Sequence, residues 1–415
     1  MGGHSPDVRC NCKLHLRWIS STYLNLTAPM TNLSLRSFFG FFPVLLAASV
    51  AFGQDTPTIT IRKSDSINLA VGTISGPDAA AISQVLKNDL GISGWFTMGE
   101  ASGSAFVVGG TSTGGSLRGE VKDRNGSVVL AKTYSGPARP VAHQFADDIV
   151  ETLTGNPGIA DTKIAFVSNR TGKKEIYTAD YDGANVKQLT NDGNISVAPA
   201  LSPDGKKLAY TGYQSGYADI YLIDLVSGAR NRIAKFPGTN SGAAFSPDGG
   251  RIACSVSRDG NPELYVMGSN GSGPRRLTKT RGVESSPSWS PDGREIVYSS
   301  DDGGSSPRLF RISSGGGAGR AISTGFGYST EPSWSPDGHK IAFSGRSDGF
   351  VIAITDLRSG SNRTLGSGED PVWGANSRHL LFSSGSSLML LDTVSGRSVP
   401  VITGMGRVSE PTWSR

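Results

Sequence analysis

The tetrapeptide "SPDG" occurs four times, starting at Ser202, Ser246, Ser290 and Ser335. Each copy sits inside a longer shared phrase: "APALSPDGKKLAY", "GAAFSPDGGRIAC", "SPSWSPDGREIVY" and "EPSWSPDGHKIAF". "DPVWGANSRHLLF" continues the series with Gly374 in the serine position, and "EPTWSR" ends the chain with Ser414 there. The spacings are 44, 44, 45, 39 and 40 residues. A period near 40 built of short strands is the signature of a β-propeller, whose blades are four-stranded sheets. The turn chemistry agrees. Proline presets φ near −65°, Asp suits the next corner, and Gly accepts the left-handed conformation that follows. One strand precedes each turn and a second follows it. A third reads as "EIYTAD", "DIYLID" or "ELYVMG", and a weaker fourth includes "KQLT" and "RRLT".

The two ends of this region complement each other. "TKIAFVS" (162–168) matches a second strand with no first strand before it, and "EPTWS" (410–414) matches a first strand with no second after it. The C-terminal strand is therefore expected to complete the blade begun at Thr162. That closes a ring of six blades and removes exposed sheet edges. The 55 glycines follow no G-X-Y period and suit a chain of many short strands and turns.

Residues 57–158 do not repeat. "TITI", "INLAVG", "AFVVGG", "LRGEVKD" and "VVLAKTY" read as strands, with "RNG" as a hairpin turn. "DAAAISQVLKNDLGISGWF" reads as a helix, with Ile82, Val85, Leu86 and Leu90 at helical spacing. "PVAHQFADDIVETLTG" reads as a second, starting near Pro140 and ending at Gly155. The expected fold class is a small α+β N-terminal domain followed by a six-bladed all-β propeller closed by its C-terminal strand. Upstream, "MTNLSLRSFFGFFPVLLAASVAFGQ" has the charge, apolar run and small residues of a secretory signal, with cleavage before Gln54. The expected divisions are a leader region 1–53 (signal 30–53), an α+β domain 54–158 and a propeller 159–415. Met30 is an alternative start to Met1.

Charge and cysteines narrow the function. The formal net charge is +5, but residues 1–53 carry +3 of it, so the remainder is close to neutral. No clustered basic footprint argues for nucleic acid. Cys254 is the one cysteine after the leader, so no disulfide forms within the mature chain, and "RIACSV" reads as a strand core. "GTSTG" (110–114) fits the nucleophile pattern G-x-S-x-G, but Ser112 is followed by a strand rather than a helix. His143, His339 and His379 show no ligand spacing, and each "SPDG" turn offers one carboxylate, too few for calcium. No cofactor or metal is expected.

Taken together, "NDLGISGWF" (88–96), "AHQFADDIVETLTGNPGIADTKIAFVSN" (142–169), "YDG" (181–183) and the "SPDG" blades resemble the TolB family of the bacterial Tol–Pal envelope system. The resemblance covers nearly all of 54–415. It implies a periplasmic, non-enzymatic scaffold serving outer-membrane integrity and cell division. It implies binding of the peptidoglycan-associated lipoprotein Pal by the propeller and of TolA by the N-terminal segment. It also places the Pal contact on loops leading into the inner strands, where Thr239, Asn240 and Ser285 stand. Blade geometry adds the residues before the recurrent proline: Ala198, Gly242, Ser286, Glu331, Asp370 and Glu410. Glu331, Asp370 and Glu410 would form an acidic half-ring facing a basic partner. The alternative is an exported propeller that binds glycan or peptide, or assists an envelope hydrolase or lyase.

Overall fold

The computed structural model describes residues 66–414. The leader, "TITI", Cys10 and Cys12 lie outside the described residues. The first domain is a five-stranded sheet: β1 (Ile67–Ser75), β2 (Phe96–Met98), β3 (Phe106–Ser112), β4 (Ser116–Asp123) and β5 (Val128–Ser135), ordered β2-β1-β3-β4-β5. β2 and β3 run parallel to β1, and β3, β4 and β5 are successively antiparallel. Helices α1 (Ala79–Ile92) and α2 (Ala138–Thr154) cover it. Their apolar faces, including Ile82, Leu86 and Leu90 of α1 and Phe145 and Ile149 of α2, are fully buried. The sequence expectation ran α1 on to Phe96. The helix stops at Ile92 because Gly94 takes φ +73°, outside the helical region. Trp95 and Phe96 are thereby redirected, and Phe96 opens β2.

Six four-stranded sheets follow. Blades one to five have inner strands Ser196–Leu201, Asn240–Phe245, Glu284–Trp289, Ser329–Trp334 and Glu369–Trp373. Each inner strand turns antiparallel into a second strand through the repeated tetrad. In the first such turn Asp204 Oδ1 accepts the Ser202 hydroxyl at 2.6 Å and the Lys206 N–H at 3.1 Å, and Ser202 Oγ accepts the Lys207 N–H at 2.9 Å. Asp248, Asp292 and Asp337 repeat the pattern. These aspartates serve the turn.

Blade six is assembled from both ends of the propeller. Val408–Trp413 pairs antiparallel with Lys163–Ser168, with Val408 opposite Ser168 and Trp413 opposite Ile164. Ser414 N donates to Lys163 O at 2.9 Å, and Lys163 N donates to Ser414 Oγ at 2.9 Å. The buried Trp413 indole donates to Thr162 Oγ1 at 2.7 Å. Its ring explains one departure in the repeat. A Cβ at Gly374 would lie 2.9 Å from Trp413, so the serine of the other turns does not fit there.

Within "GANS" the turn itself is kept, and the residue that follows it meets the first domain. Asn376 Oδ1 does the work of the turn aspartate, accepting the N–H groups of Arg378 and His379 at 3.0 and 3.1 Å. Arg378 then reaches across. It donates to Gly94 O at 2.6 Å and to both oxygens of Asp392 at 2.8 and 2.7 Å, and its guanidinium lies 4.3 Å from the Trp95 ring centre. Blade six adds a second tether. Tyr181 donates to Asp89 Oδ1 at 2.8 Å, and His143 Nδ1 lies 2.7 Å from Asp89 Oδ2. Arg139 of α2 pairs with Asp180 at 2.9 Å and also with Asp182. A single apolar cluster runs from α1 and α2 through Ile164, Leu390 and Trp413.

Replacing Trp413 with Ala should cost about 3–5 kcal/mol, the range for deleting a buried Trp or Phe. Removing residues 408–415 should abolish the cooperative transition by reopening the Lys163–Ser168 edge. Denaturant unfolding followed by fluorescence and circular dichroism checks both, and an unchanged midpoint for either variant would contradict closure by this strand.

Candidate functional site

Every inner strand carries a register shift at the same place, and the residue there has a left-handed backbone. These residues are Ala198 (φ +49°), Gly242 (+63°), Ser286 (+51°), Glu331 (+52°), Asp370 (+57°) and Glu410 (+54°). They are the six positions singled out before the recurrent proline. Five of the six are not glycine, and a non-glycine residue in this region costs on the order of 1–3 kcal/mol. The ring spends that strain around a central cavity of about 380 Å³, lined by all six residues and by Pro199, Pro287, Pro332, Pro371 and Pro411.

The bulge aims each of several N–H groups at an acceptor on the preceding blade. Asp370 N lies 2.9 Å from Ser344 Oγ and 3.3 Å from Glu331 Oε2, and the Ser344 hydroxyl donates to Glu331 at 2.6 Å. Glu410 N donates to Asp370 Oδ2 at 2.8 Å, and the Ser383 hydroxyl donates to the same oxygen at 3.0 Å. Ala198 N donates to Glu410 Oε2 at 2.6 Å, with Lys174 Nζ 3.5 Å from Oε1. Further round, where residue 198 has no acceptor, Thr211 Oγ1 takes the Gly242 N–H at 3.2 Å. The acidic side chains are thus half-buried braces joining blade four to five, five to six and six to one.

This bracing changes their charge. Burial, followed by the neighbouring Asp370 carboxylate, pushes Glu331 up to about 8, so it keeps its proton in neutral solution. Burial also raises Glu410, against the lowering effects of the Ala198 N–H and Lys174. The half-ring is real in position. Its anionic charge at neutral pH is smaller than three.

The other expected residues differ in access. Thr239 is exposed and Ser285 is half-buried. Asn240 is fully buried, which corrects its reading as a contact residue. Its Nδ2 donates to Phe236 O at 2.8 Å and Ala218 O at 3.2 Å, and its Oδ1 accepts the Phe236 N–H at 3.2 Å. It shapes the loop that carries Thr239. A signal for this exists, since Ser196, Glu284 and Ser329 are polar at the same strand-opening place in other blades. Sequence reasoning also missed the hydroxyls at Thr211, Ser344 and Ser383, each inside an otherwise apolar second strand. It missed Ile195, Tyr213 and Tyr217, which are exposed beside blade one, with Tyr213 N donating to Ile195 O at 3.1 Å.

Groups capable of bond-making chemistry lie elsewhere. Ser112 closes β3, is buried, and accepts the Gly114 N–H at 3.2 Å. Cys254 is fully buried, and burial pushes its thiol up to about 12. His143 and His379 are buried, and His339 is an exposed turn residue beside Arg358. Among the described residues no three His, Cys, Asp or Glu side chains are grouped to hold a metal.

Fold and mouth together define a closed six-bladed propeller with an N-terminal α+β domain and a strained, half-acidic channel opening. Residues 150–415 match the family model described as the TolB beta propeller domain, and the chain belongs to that family. Curated relatives include the Protein TolB homolog of Chlorobium chlorochromatii, 36% identical over 39% of this chain and 46% of the relative. The Tol-Pal system protein TolB of Geobacter metallireducens is 37% identical over 37% of this chain and 38% of the relative. The matched stretch spans less than half the length of these relatives. The crystal structure of TolB from Acinetobacter baumannii superposes with a TM-score of 0.75 at 26% identity, covering 84% of this chain and 97% of that one.

Glu331→Gln tests the charge assignment. A carboxyl raised from its ordinary value near 4.5 to about 8 favours the fold at low pH and loses that contribution as pH climbs from the first value to the second. The variant should gain stability relative to the parent between about pH 5 and 8, by up to about 1.4 kcal/mol per pH unit, and level off above 8. Melting curves across that range check it, and parallel pH profiles would refute a protonated Glu331.

Proposed function

We propose that this chain is a non-catalytic scaffold of the Tol–Pal envelope system, working in the periplasm after removal of the signal at 30–53. Its propeller mouth binds the peptidoglycan-associated lipoprotein Pal, and the N-terminal segment of the mature chain binds TolA. In this reading residues 54–158 and 159–415 act as the two mature domains. Its role is to support outer-membrane integrity and cell division. Membership of the TolB propeller family carries the reading, and the Tol-Pal designation of relatives such as that of Geobacter metallireducens supports it.

The mouth supplies the physical means of recognition. Asp370 and Glu410 offer negative charge on one side, while Ile195, Tyr213 and Tyr217 offer exposed apolar and aromatic surface on the other. Tyrosines of this kind anchor interfaces, and complementary charge sets approach rate and partner choice. The partner surface it fits presents a cation toward blades five and six and an apolar side chain toward blade one. Thr239 and Ser285 flank that path.

Titration of the mature protein with the purified soluble domain of the cognate Pal tests the proposal. Asp370→Asn and Glu410→Gln keep an oxygen acceptor while removing charge. Each should weaken binding by about tenfold, or 1.4 kcal/mol, and flatten its salt dependence. Failure of the parent to bind Pal would sink the partner assignment. Binding that ignores both substitutions would move the contact away from the mouth.

A further inference from the structure

The seams between blades bury a recurring polar pair. At four of them the first residue of an inner strand donates its N–H to the residue preceding the third strand of the blade before. Ser196 donates to Lys174 O, Asn240 to Ala218 O, Glu284 to Pro262 O and Ser329 to Pro307 O. The side chains beside these bonds differ. Between blades one and two, Asn240 Nδ2 lies 3.3 Å from Asp219 Oδ1, an amide donor facing a carboxylate. Between blades two and three, the equivalent places hold Glu284 and Glu263, both fully buried.

Two carboxylates cannot satisfy each other. Glu263 Oε1 accepts Arg276 Nη2 and Thr280 N, each at 2.8 Å. Glu284 Oε1 accepts the Thr280 and Ser300 hydroxyls, each at 2.8 Å. The Oε2 atom of each is buried and meets no donor. Thr280 bridges them, its N–H on Glu263 Oε1 and its hydroxyl on Glu284 Oε1, which sets the two carboxyls side by side, where a hydrogen bond between them would need a proton. A carboxylic acid and a carboxylate make that bond, and two carboxylates do not. Charge points the same way. Arg276 contacts Glu263 and also lies 3.3 Å from Asp259. From blade three the pair faces Tyr298, with Asp302 nearby. Asp301 accepts the Val283 N–H at 2.6 Å just beyond. Arg258 lies against the exposed Asp259 at 3.6 Å, so among the described residues Arg276 is the one guanidinium paired with the buried carboxyls, and a second buried charge stays uncompensated.

We propose that Glu263 and Glu284 share one proton in neutral solution, and that this proton locks the loop 279–283 leading into the mouth. Thr280 ties the loop to both carboxyls, and Asn261 joins Glu263 to the carbonyl of Gly282. The loop ends at the exposed Val283, two residues before Ser285. Burial raises Glu284 to about 7, so the lock is complete at lower pH and is lost as pH rises through that value. Release would loosen one side of the mouth, whatever partner docks there.

Hydrogen exchange on the whole mature protein tests the lock, with rates corrected for intrinsic pH dependence. Amides of residues 280–284 should lose up to about tenfold in protection per pH unit between about pH 5 and 7, and level off above 7 once Glu284 is ionised in the closed loop too. The equivalent loop ending at Asn240 should stay level. Glu284→Gln supplies a permanent donor and should hold protection flat over the same range. Constant protection in the parent, or an equal fall in the variant, would overturn the proposal. Should the variant fail to fold, infrared spectra of the parent decide. A protonated-carboxyl band must be present at pH 6 and vanish by pH 8.5, and its absence at pH 6 overturns the shared proton.

Discussion

The pairing of Val408–Trp413 with Lys163–Ser168 is the contact on which the rest of the molecule depends. A propeller blade buries its two faces against its neighbours, so an open ring would expose two blade faces and an unpaired strand edge. The same C-terminal strand also builds the mouth. It carries Glu410, whose carboxylate accepts the Ala198 N–H of blade one, and Thr412, whose hydroxyl accepts the Leu201 N–H at 3.2 Å. Ring closure and mouth geometry are therefore one event. A partner gripping the mouth would bind the closed ring and not the open one, and would stabilise closure by mass action.

Blade five shows how the first domain is wired to this ring. Its turn breaks the repeat at each of four positions, and three of the breaks have identifiable structural roles. Gly374 makes room for Trp413 and Asn376 replaces the turn aspartate, while Arg378, just after the tetrad, reaches the backbone of Gly94 and the ring of Trp95. Ser377 holds the turn's left-handed residue at φ +54°, where the other copies use glycine. Burial of the Arg378–Asp392 pair is tolerable because both oxygens and the guanidinium edge are satisfied. The Asp392 carboxyl is held down at about 2, chiefly by Arg378 acting against burial. Domain contact is thus spread over blades five and six, leaving the channel opening to inner-strand residues.

Much of the architecture was legible because the turn chemistry is stereotyped. Pro, Asp and Gly in fixed order dictate a corner wherever they stand, so six blades and the complementary ends could be counted from sequence alone. Helix α1 was overextended because Trp95 and Phe96 continue its apolar character, and only the backbone of Gly94 decides otherwise. The six mouth positions were found by alignment on the proline. Their left-handed bulge was not, since Ala, Ser, Glu and Asp give no local sign of a conformation imposed by the neighbouring blade. Asn240 was misplaced for a related reason. A polar residue at a strand opening looks exposed in one dimension, yet a seam between blades buries it with its hydrogen bonds made.

The same distinction governs the electrostatics of the mouth. Sequence counts three acids on adjacent blades and suggests three charges. In the fold each carboxyl first serves the ring, and only what remains faces a partner. Burial first, and then the Asp370 carboxyl beside it, raise Glu331 to about 8 and keep it protonated near pH 7. Glu410 spends one oxygen on Ala198 and has Lys174 beside the other. Asp370 likewise serves the ring, with one of its oxygens already holding Glu410 N and Ser383. Selectivity at such an opening rests on how much carboxylate charge the ring leaves free around the proline-lined cavity.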